Sequence, residues 1–371
     1  MKKLGFGLMR LPQSDPDDWS KVDREAAQAM IDRYLAAGFT YFDTAYVYHG
    51  DSSERLFGEL VAKRYDRDAY VLTTKMPVFN SDYVKSPQDY ERIFAEQLAR
   101  CQVDYFDYYL LHGIGKNRYA DIQRMDGFAF LQRKKAEGKI RHIGFSYHDD
   151  AETLAEILDD HPETEMVQLQ LNYIDWDDES VQARKCYEIC AERGISVVVM
   201  EPLKGGSLAN LPPEAAALLK KANPEASLAS WGIRFAASPE QVMVVLSGMS
   251  DMAQLEDNIS YMSDFTPLSE AEHKLLEQCV GIIHDSIAIP CTACRYCIAG
   301  CPKQIAIPEY FALYNNQKQF GLLPGLASNY LNLTVKFGKP DDCIGCGHCE
   351  GHCPQHLPIS RLLEQVSKAF A

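Results

Sequence analysis

AAGFTYFDTA, residues 36–45, carries three structural instructions in succession. A helix ends, Gly38 can take the left-handed position just past it, and an apolar strand begins at once. The same order returns in AEGKIRHIGFS (136–146) and AERGISVVVMEP (191–202). Working outward from these junctions, candidate strands fall at 4–9, 39–43, 69–74, 106–111, 140–146, 166–172, 195–201 and 242–247, with helix-like stretches between nearly all of them. From Tyr90 the apolar positions Ile93, Phe94, Leu98 and Cys101 follow the helical period. The strands read as near-continuous apolar runs, as expected when both faces are covered. Eight βα units in about 270 residues predict an α/β fold, a TIM (β/α)8 barrel over residues 1–270. An open doubly wound sheet is the alternative, but no GxGxxG follows the first strand.

Bulk composition narrows the partners. The 371 residues carry a formal net charge of −15, which argues against nucleic acid or an anionic membrane surface. No apolar run approaches the ~20 residues of a membrane span. The start, MKKLGFGLMRLP, has two lysines but no hydrophobic signal core, so a mature cytoplasmic protein is expected. Of twelve cysteines, eight crowd into residues 291–353, while Cys101, Cys186, Cys190 and Cys279 are scattered and read as core fillers. A dense cluster in a cytoplasmic chain argues for metal rather than disulfides, and it sets off a second domain over residues 280–371.

Chemistry in a TIM barrel sits at the C-terminal ends of the strands. Those ends here carry Asp43, Lys75, His112, Ser146, Gln168 to Asn172, and Glu201. Any one could be a satisfied polar cap; the set converging on one mouth reads as a site. A tyrosine near pKa 10 is a poor proton donor at neutral pH, and a neighbouring ammonium favours its phenolate. A carboxylate keeps that lysine charged and aimed, and a histidine can hydrogen-bond the carbonyl oxygen awaiting the proton. Asp43, Tyr48, Lys75 and His112 supply those four groups.

Their order resembles the catalytic tetrad of the aldo-keto reductases. The resemblance runs through LGFGLMRLP (4–12), FDTAYVYHGDSSERLFGEL (42–60), VLTTKMP (71–77), YYLLHG (108–113), GKIRHIGFS (138–146), VQLQLNY (167–173), MEPLKGG (200–206) and SGMSDMAQLEDN (247–258). It implies that Tyr48 donates the proton, Lys75 lowers its pKa, Asp43 holds Lys75 and His112 orients the carbonyl. Tyr46 is a rival phenol, and the family spacing selects Tyr48. Ser146 and Gln168 match positions that hold the nicotinamide amide. Pro202, Leu203, Gly205 and Gly206 match the pyrophosphate loop, where bare backbone can approach phosphate oxygens. Gln254 and Asn258 match adenine contacts. Tyr147 stands where the family has Asn, and Ser250 and Asp251 stand where a base clamps the 2′-phosphate of NADPH, which favours NADH. The family's usual plug hairpin under the barrel floor does not precede the first strand, so another device covers the floor or it stays exposed. Trp176, Tyr173 and Tyr147 are candidate substrate walls.

CTACRYCIAGCP (291–302) and CIGCGHCEGHCP (343–354) share the spacing C-x2-C-x2-C-x3-C-P, the bacterial ferredoxin run for 4Fe–4S clusters. On that pattern the fourth cysteine of each run serves the other cluster. Cys291, Cys294, Cys297 and Cys353 would hold one cluster, and Cys343, Cys346, Cys349 and Cys301 the other. Zinc fits poorly, because its sites use C-x2-C pairs. His348, His352 and His356 lie near the second run, but its cysteine set is already full. Residues 309–323 read as an amphipathic helix suited to docking on the barrel. The whole arrangement resembles aldo-keto reductase-like oxidoreductases with a C-terminal ferredoxin-type domain.

Three functions follow from this reading. The first is an NAD(P)H-dependent reductase of small carbonyl compounds, or the reverse alcohol dehydrogenase. The second is an electron-transfer enzyme in which ferredoxin or another redox partner feeds the clusters and, through them, a flavin or substrate in the mouth; a hydride carries two electrons and each cluster passes one. The third is a redox-sensing module that binds nicotinamide with little turnover.

Overall fold

The computed structural model describes residues 1–371 except Pro16, Asp17, Trp19, Asn80, Ser81, Ser180, Thr292, Cys294, Tyr296, Ala299, Leu322, Pro354 and Ala371. Contacts divide it into two units: Met1–Pro202 with Ser230–Glu270, and Leu203–Ala229 with Ala271–Ala371.

The first unit is built on eight parallel strands: β1 (Leu4–Gly7), β2 (Tyr41–Asp43), β3 (Val71–Met76), β4 (Phe106–Ile114), β5 (Ile140–Tyr147), β6 (Met166–Gln170), β7 (Ser196–Met200) and β8 (Val242–Ser247). They pair in chain order and β8 returns to β1, closing the barrel. This is the predicted TIM architecture. The junction glycines Gly38, Gly138 and Gly194 all have positive φ, at 80°, 74° and 67°. At Gly138 and Gly194 an added Cβ would meet nothing within 4 Å, so left-handed backbone alone demands glycine there.

The helix Pro87–Cys101 shows how the sequence sets an element. Pro87 occupies its first turn, and the Asp89 carboxylate accepts from the Ser86 N–H at 3.0 Å. It ends at Gln102 with φ 57°. Its buried face holds Tyr90, Ile93, Phe94, Gln97 and Cys101. Leu98, expected on that face, is only partly buried, and the amide of Gln97 is buried in its place.

Aromatic side chains close the barrel floor from within. Tyr41 is fully buried; its ring lies 5.9 Å from that of Tyr108, which stacks on His142 at 4.8 Å. The Tyr108 hydroxyl donates to the Met243 sulfur at 3.4 Å. Half-buried Val71, Tyr108 and Met243 pack on a core of Tyr41, Leu110, Met166, Val198 and Val244. Large side chains near the strand starts thus fill that end of the barrel.

The second unit is organised by two helices, Ile307–Phe320 and Ile359–Ala369. Ile359, Leu363 and Val366, four and three residues apart, present one apolar stripe. They share a core with Ile305, Ile307, Tyr310 and Phe311. The polar face of the first of these helices is also engaged: Asn315 exchanges hydrogen bonds of 2.8 Å with the backbone of Ile289, and Gln317 Nε2 donates to the Ala369 carbonyl at 2.6 Å. Among the described residues no helix is long and apolar enough to cross a membrane.

Candidate active site and cluster sites

Asp43 ends β2, and Lys75 lies one residue from the end of β3. Both are buried, at 3% and 0% exposure, and Lys75 Nζ lies 2.5 Å from Asp43 Oδ1. The ammonium also donates to the Thr44 carbonyl at 2.9 Å and to the Tyr48 hydroxyl at 3.4 Å. Tyr46, the rival phenol, gives its hydroxyl to Glu96 at 2.7 Å. Of the two phenols, only Tyr48 is bonded to the ammonium.

His112 is aimed by a backbone irregularity. The β4–β5 register shifts between Leu111 and Ile114, and Gly113 has φ 68°. Such a bulge turns a strand-end side chain off its regular course. Ser146 Oγ accepts the N–H of Gly113 at 2.8 Å. The His112 ring meets Tyr48 edge-on at 6.1 Å and Phe79 at 5.0 Å. Its Nδ1 is buried without a hydrogen-bond partner. A ring with an unspent nitrogen beside a phenol is equipped to bond a carbonyl oxygen.

The electrostatics follow from burial. Burial pushes the Tyr48 phenol above its usual range, and Lys75 pulls it back only in part, while Asp43 and Glu201 push it further up. The expectation of a lowered pKa therefore holds for the Lys75 contribution and not for the net shift. Burial acts most strongly on Lys75 too, downward, but Asp43 and Tyr48 together outweigh it and hold the ammonium charged. Burial, then the charge of Lys75 and the neighbouring His148, depress His112 well below the usual imidazole range, so it stays neutral.

The expected nicotinamide residues are placed as follows. Ser146 and Gln168 are buried side by side across the β5–β6 pairing. Gln168 Nε2 donates to Asp43 Oδ2 at 3.1 Å, so its amide nitrogen serves the carboxylate and its oxygen faces elsewhere. Ser146 accepts from Gly113 and keeps its own proton to donate. Pro202 is buried in the first unit; Leu203, Gly205 and Gly206 belong to the second. Lys204, Gly205 and Gly206 are successive left-handed residues, with φ 48°, 67° and 100°. Asp251 caps the helix Met252–Met262, accepting from Gln254 N at 2.8 Å and Nε2 at 3.0 Å. Gln254 is exposed, whereas Asn258 is buried with Nδ2 on Ser247 Oγ at 2.7 Å. Tyr147 is 2% exposed with its hydroxyl on the Asp150 carbonyl, and Tyr173 is buried against Phe235. Trp176 is half-buried between Tyr187 and Phe235.

In the second unit the cysteines gather around two hollows. One is lined by Cys291, Cys297 and Cys353 with Arg295, Phe311 and Leu357, and encloses about 320 Å³, solvent-facing space included. The other is lined by Cys301, Cys343, Cys346 and Cys349 with His348 and Leu363, and encloses about 330 Å³. Cys294 lies outside the described residues. The loops repeat: positive φ at Ala293, Arg295 and Gln304 recurs at Gly345, Gly347 and His356, a constant offset of 52 positions (345 − 293). The backbone bonds Ile298 N to Arg295 O and Gln304 N to Cys301 O recur as Glu350 N to Gly347 O and His356 N to Cys353 O. Left-handed residues of this kind favour backbone concavities rich in N–H groups, which suit iron–sulfur groups. The donor set and the loop form therefore fit 4Fe–4S clusters. His348 lies over Gly300, where an added Cβ would fall 1.6 Å from its Nε2, and stacks on His352 at 4.3 Å.

Comparison with known proteins agrees with both halves. Residues 3–281 match the Aldo/keto reductase family, and residues 290–357 match the 4Fe-4S dicluster domain. The chain belongs to the aldo/keto reductase family. Among its relatives is the L-galactose dehydrogenase of Arabidopsis thaliana, 26% identical over 288 residues, 74% of this chain and 88% of that one. Among solved structures, the holo form of aldo-keto reductase AKR11C1 from Bacillus halodurans superposes with a TM-score of 0.61 at 24% identity, covering 75% of this chain and 91% of that one. An aldo-keto reductase from Klebsiella pneumoniae, in complex with NADPH, gives 0.58 at 20% identity, over 74% and 90%.

This aldo/keto reductase is thus an oxidoreductase carrying a 4Fe–4S domain. Its site includes residues to which the sequence assigned no chemical role, Glu201 among them although it was placed at the mouth. Glu201, with φ 55° just past β7, bears electrostatically on Tyr48, and its carbonyl accepts from Asn172 Nδ2 at 3.1 Å. His148 bears on His112. His49, next to Tyr48, is 1% exposed, and its Nε2 accepts the Leu11 N–H at 3.3 Å. The signal for Glu201 was present as a carboxylate at a strand end; for His49 only adjacency to Tyr48 pointed there, and for His148 only its place two residues after Ser146.

Proposed function

We propose that the barrel reduces a small carbonyl compound with a nicotinamide cofactor, or runs the reverse alcohol oxidation, with Tyr48 as proton donor. The observation that carries this is the Asp43–Lys75–Tyr48 chain of contacts, at 2.5 and 3.4 Å, beside a neutral His112. A bound NAD(P)H supplies the hydride that reaches the carbonyl carbon. Tyr48 gives its proton to the oxygen, Lys75 stabilises the phenolate left behind, and Asp43 keeps Lys75 charged. His112 donates to the carbonyl oxygen and holds it in register with the phenol.

Ser146 and Gln168 are suited to the carboxamide of the nicotinamide, the first as donor and the second as acceptor. Pro202, Leu203, Gly205 and Gly206 would lie along the pyrophosphate. Gln254, exposed at a helix start, would meet the adenine, with Asn258 as its buried support. The NADPH complex of the Klebsiella pneumoniae relative supports a nicotinamide. The Asp251 carboxylate favours NADH over the extra phosphate of NADPH. The eight cysteines would hold two 4Fe–4S clusters in crossed sets: Cys291, Cys294, Cys297 and Cys353, and Cys343, Cys346, Cys349 and Cys301. A bound cluster passes single electrons. A cytoplasmic location, as the sequence leads one to expect, would keep these thiols reduced and available to iron.

The test is Tyr48→Phe in anaerobically purified protein. Carbonyl-dependent NADH oxidation should fall at least about 100-fold while NADH binding is kept. Undiminished turnover would overturn the reading.

A further inference from the structure

Where β3 meets the helices Ser53–Phe57 and Pro87–Cys101 lies a polar cluster with no part in the relay just described. Glu54, from the short helix Ser53–Phe57, is fully buried. Its Oε1 accepts from Thr74 Oγ1 and from Gln97 Nε2, both at 2.6 Å, and its Oε2 pairs with Arg100 Nη1 at 3.4 Å. Burying a carboxylate costs several kcal/mol before its partners are counted, on the order of the value for any ion taken out of water. Burial does push Glu54 upward, and the bonds from Thr74 and Gln97 and the charge of Arg100 act against it. Apolar residues of similar volume would fill the space at less cost.

What its partners grip gives the cluster a purpose. Gln97 Nε2 also donates to the backbone carbonyl of Lys75 at 3.0 Å. Arg100 Nη1 donates to the backbone carbonyl of Tyr46 at 3.3 Å, and its guanidinium lies 3.8 Å over the Tyr46 ring. One buried carboxylate therefore anchors two side chains. One holds the backbone of Lys75, and the other holds the turn that carries Tyr48 two residues later. The 3.4 Å between Lys75 Nζ and Tyr48 OH is at the long end of an N–H···O bond, where a small displacement breaks it.

Resting on the function proposed above, we propose that Glu54 is a positioning residue for proton transfer: through Gln97 and Arg100 it fixes Lys75 and the Tyr48 turn at the separation across which the ammonium acts on the phenol. Glu54 touches neither the substrate nor the reacting atoms.

Two variants of the full chain approach the clamp from opposite sides. Glu54→Gln keeps the volume and one acceptor oxygen but turns an amide NH2 toward Arg100, which frees the Tyr46 carbonyl. Arg100→Met removes the same grip and leaves Glu54 able to take up a proton. For each, the melting temperature, kcat, KM and the Cζ NMR resonance of Tyr48 through an alkaline titration are measured, with Tyr48→Phe assigning the resonance. Both variants should lower kcat on the order of 10-fold while KM stays within about 2-fold, and the Tyr48 titration should move to higher pH as the pull of Lys75 weakens. A lower melting temperature with kcat and the Tyr48 titration unchanged, in either folded variant, would overturn the proposal and leave Glu54 a packing residue. The resonance needs no turnover. A shifted titration in a protein that never reduces carbonyls would uphold the clamp and count only against the reaction assigned to it.

Discussion

Tyr48 is pulled two ways. Burial and the carboxylates of Asp43 and Glu201 hold its proton on, and Lys75 works to take it off; the first group wins. A phenol that stays protonated is ready to donate and slow to accept. Reduction should therefore run undiminished from neutral pH up to about pH 10, the ordinary phenol range, and alcohol oxidation should climb across that whole interval. Initial rates in both directions, against pH, decide this; a reduction rate that already falls between pH 7 and 9 would place the Tyr48 pKa below its normal value. Acid stability has the opposite sign. His112 is depressed, so its unfolded form binds a proton that the folded form refuses. Stability should drop as pH falls below about 6.5, and His112→Gln should lose part of that slope in urea unfolding at pH 5 compared with pH 7. At this level the sequence disclosed which side chains meet, since Asp43, Lys75 and Tyr48 stand at strand ends or just past them. It did not disclose how they are spent. Gln168 turns its amide to Asp43, and Asn258 turns inward to Ser247. Those choices depend on neighbours more than ten residues away.

The cluster loops show a cost carried by one element and spared in its copy. Ala293 and Arg295 adopt left-handed backbone, at φ 53° and 65°, where the second loop has Gly345 and Gly347. Each non-glycine residue there costs about 1–2 kcal/mol. An added Cβ at Gly347 would meet nothing within 4 Å, so Gly347→Ala isolates the backbone term. It should destabilise the cluster-loaded domain by about 1 kcal/mol, and Ala293→Gly should stabilise it by somewhat less, because glycine also enlarges the unfolded ensemble. Denaturant midpoints under anaerobic conditions read both. Elements of this kind were legible where a local rule governs them: three junction glycines took positive φ as their position after a helix requires, and eight apolar runs became eight strands. The floor was not legible, because Tyr41, Tyr108 and Met243 look like ordinary strand residues until the barrel closes around them. Nor was the exchange of Leu98 for Gln97 on a buried helix face, since the amide is wanted there by Glu54 and Lys75.

The division of the chain follows contacts more than sequence order. Leu203–Ala229 leaves the barrel unit and joins the C-terminal residues, and Ser207 Oγ donates to Asn316 Oδ1 at 3.1 Å. No compositional break marks that segment, which is why a boundary near residue 280 was the natural reading. The second unit has a modest core in which Cys297 and Cys349 are themselves buried members. Removing iron should therefore dissolve that unit and spare the barrel. Calorimetry of oxidised, chelator-treated protein should lose one transition outright and keep another within a few degrees, on the order of what an independent domain shows; a single unchanged transition would refute it.

Each hollow takes one thiol from the opposite repeat: Cys353 crosses to the first, Cys301 to the second. The two loops are interlocked like a clasp. A chain severed anywhere from residue 302 to 342 would leave two fragments, each with three cysteines of one set and a stray from the other. On the crossed sets proposed above, neither fragment could complete a mineral core alone, and iron loading should be an all-or-none event that waits until both loops have left the ribosome.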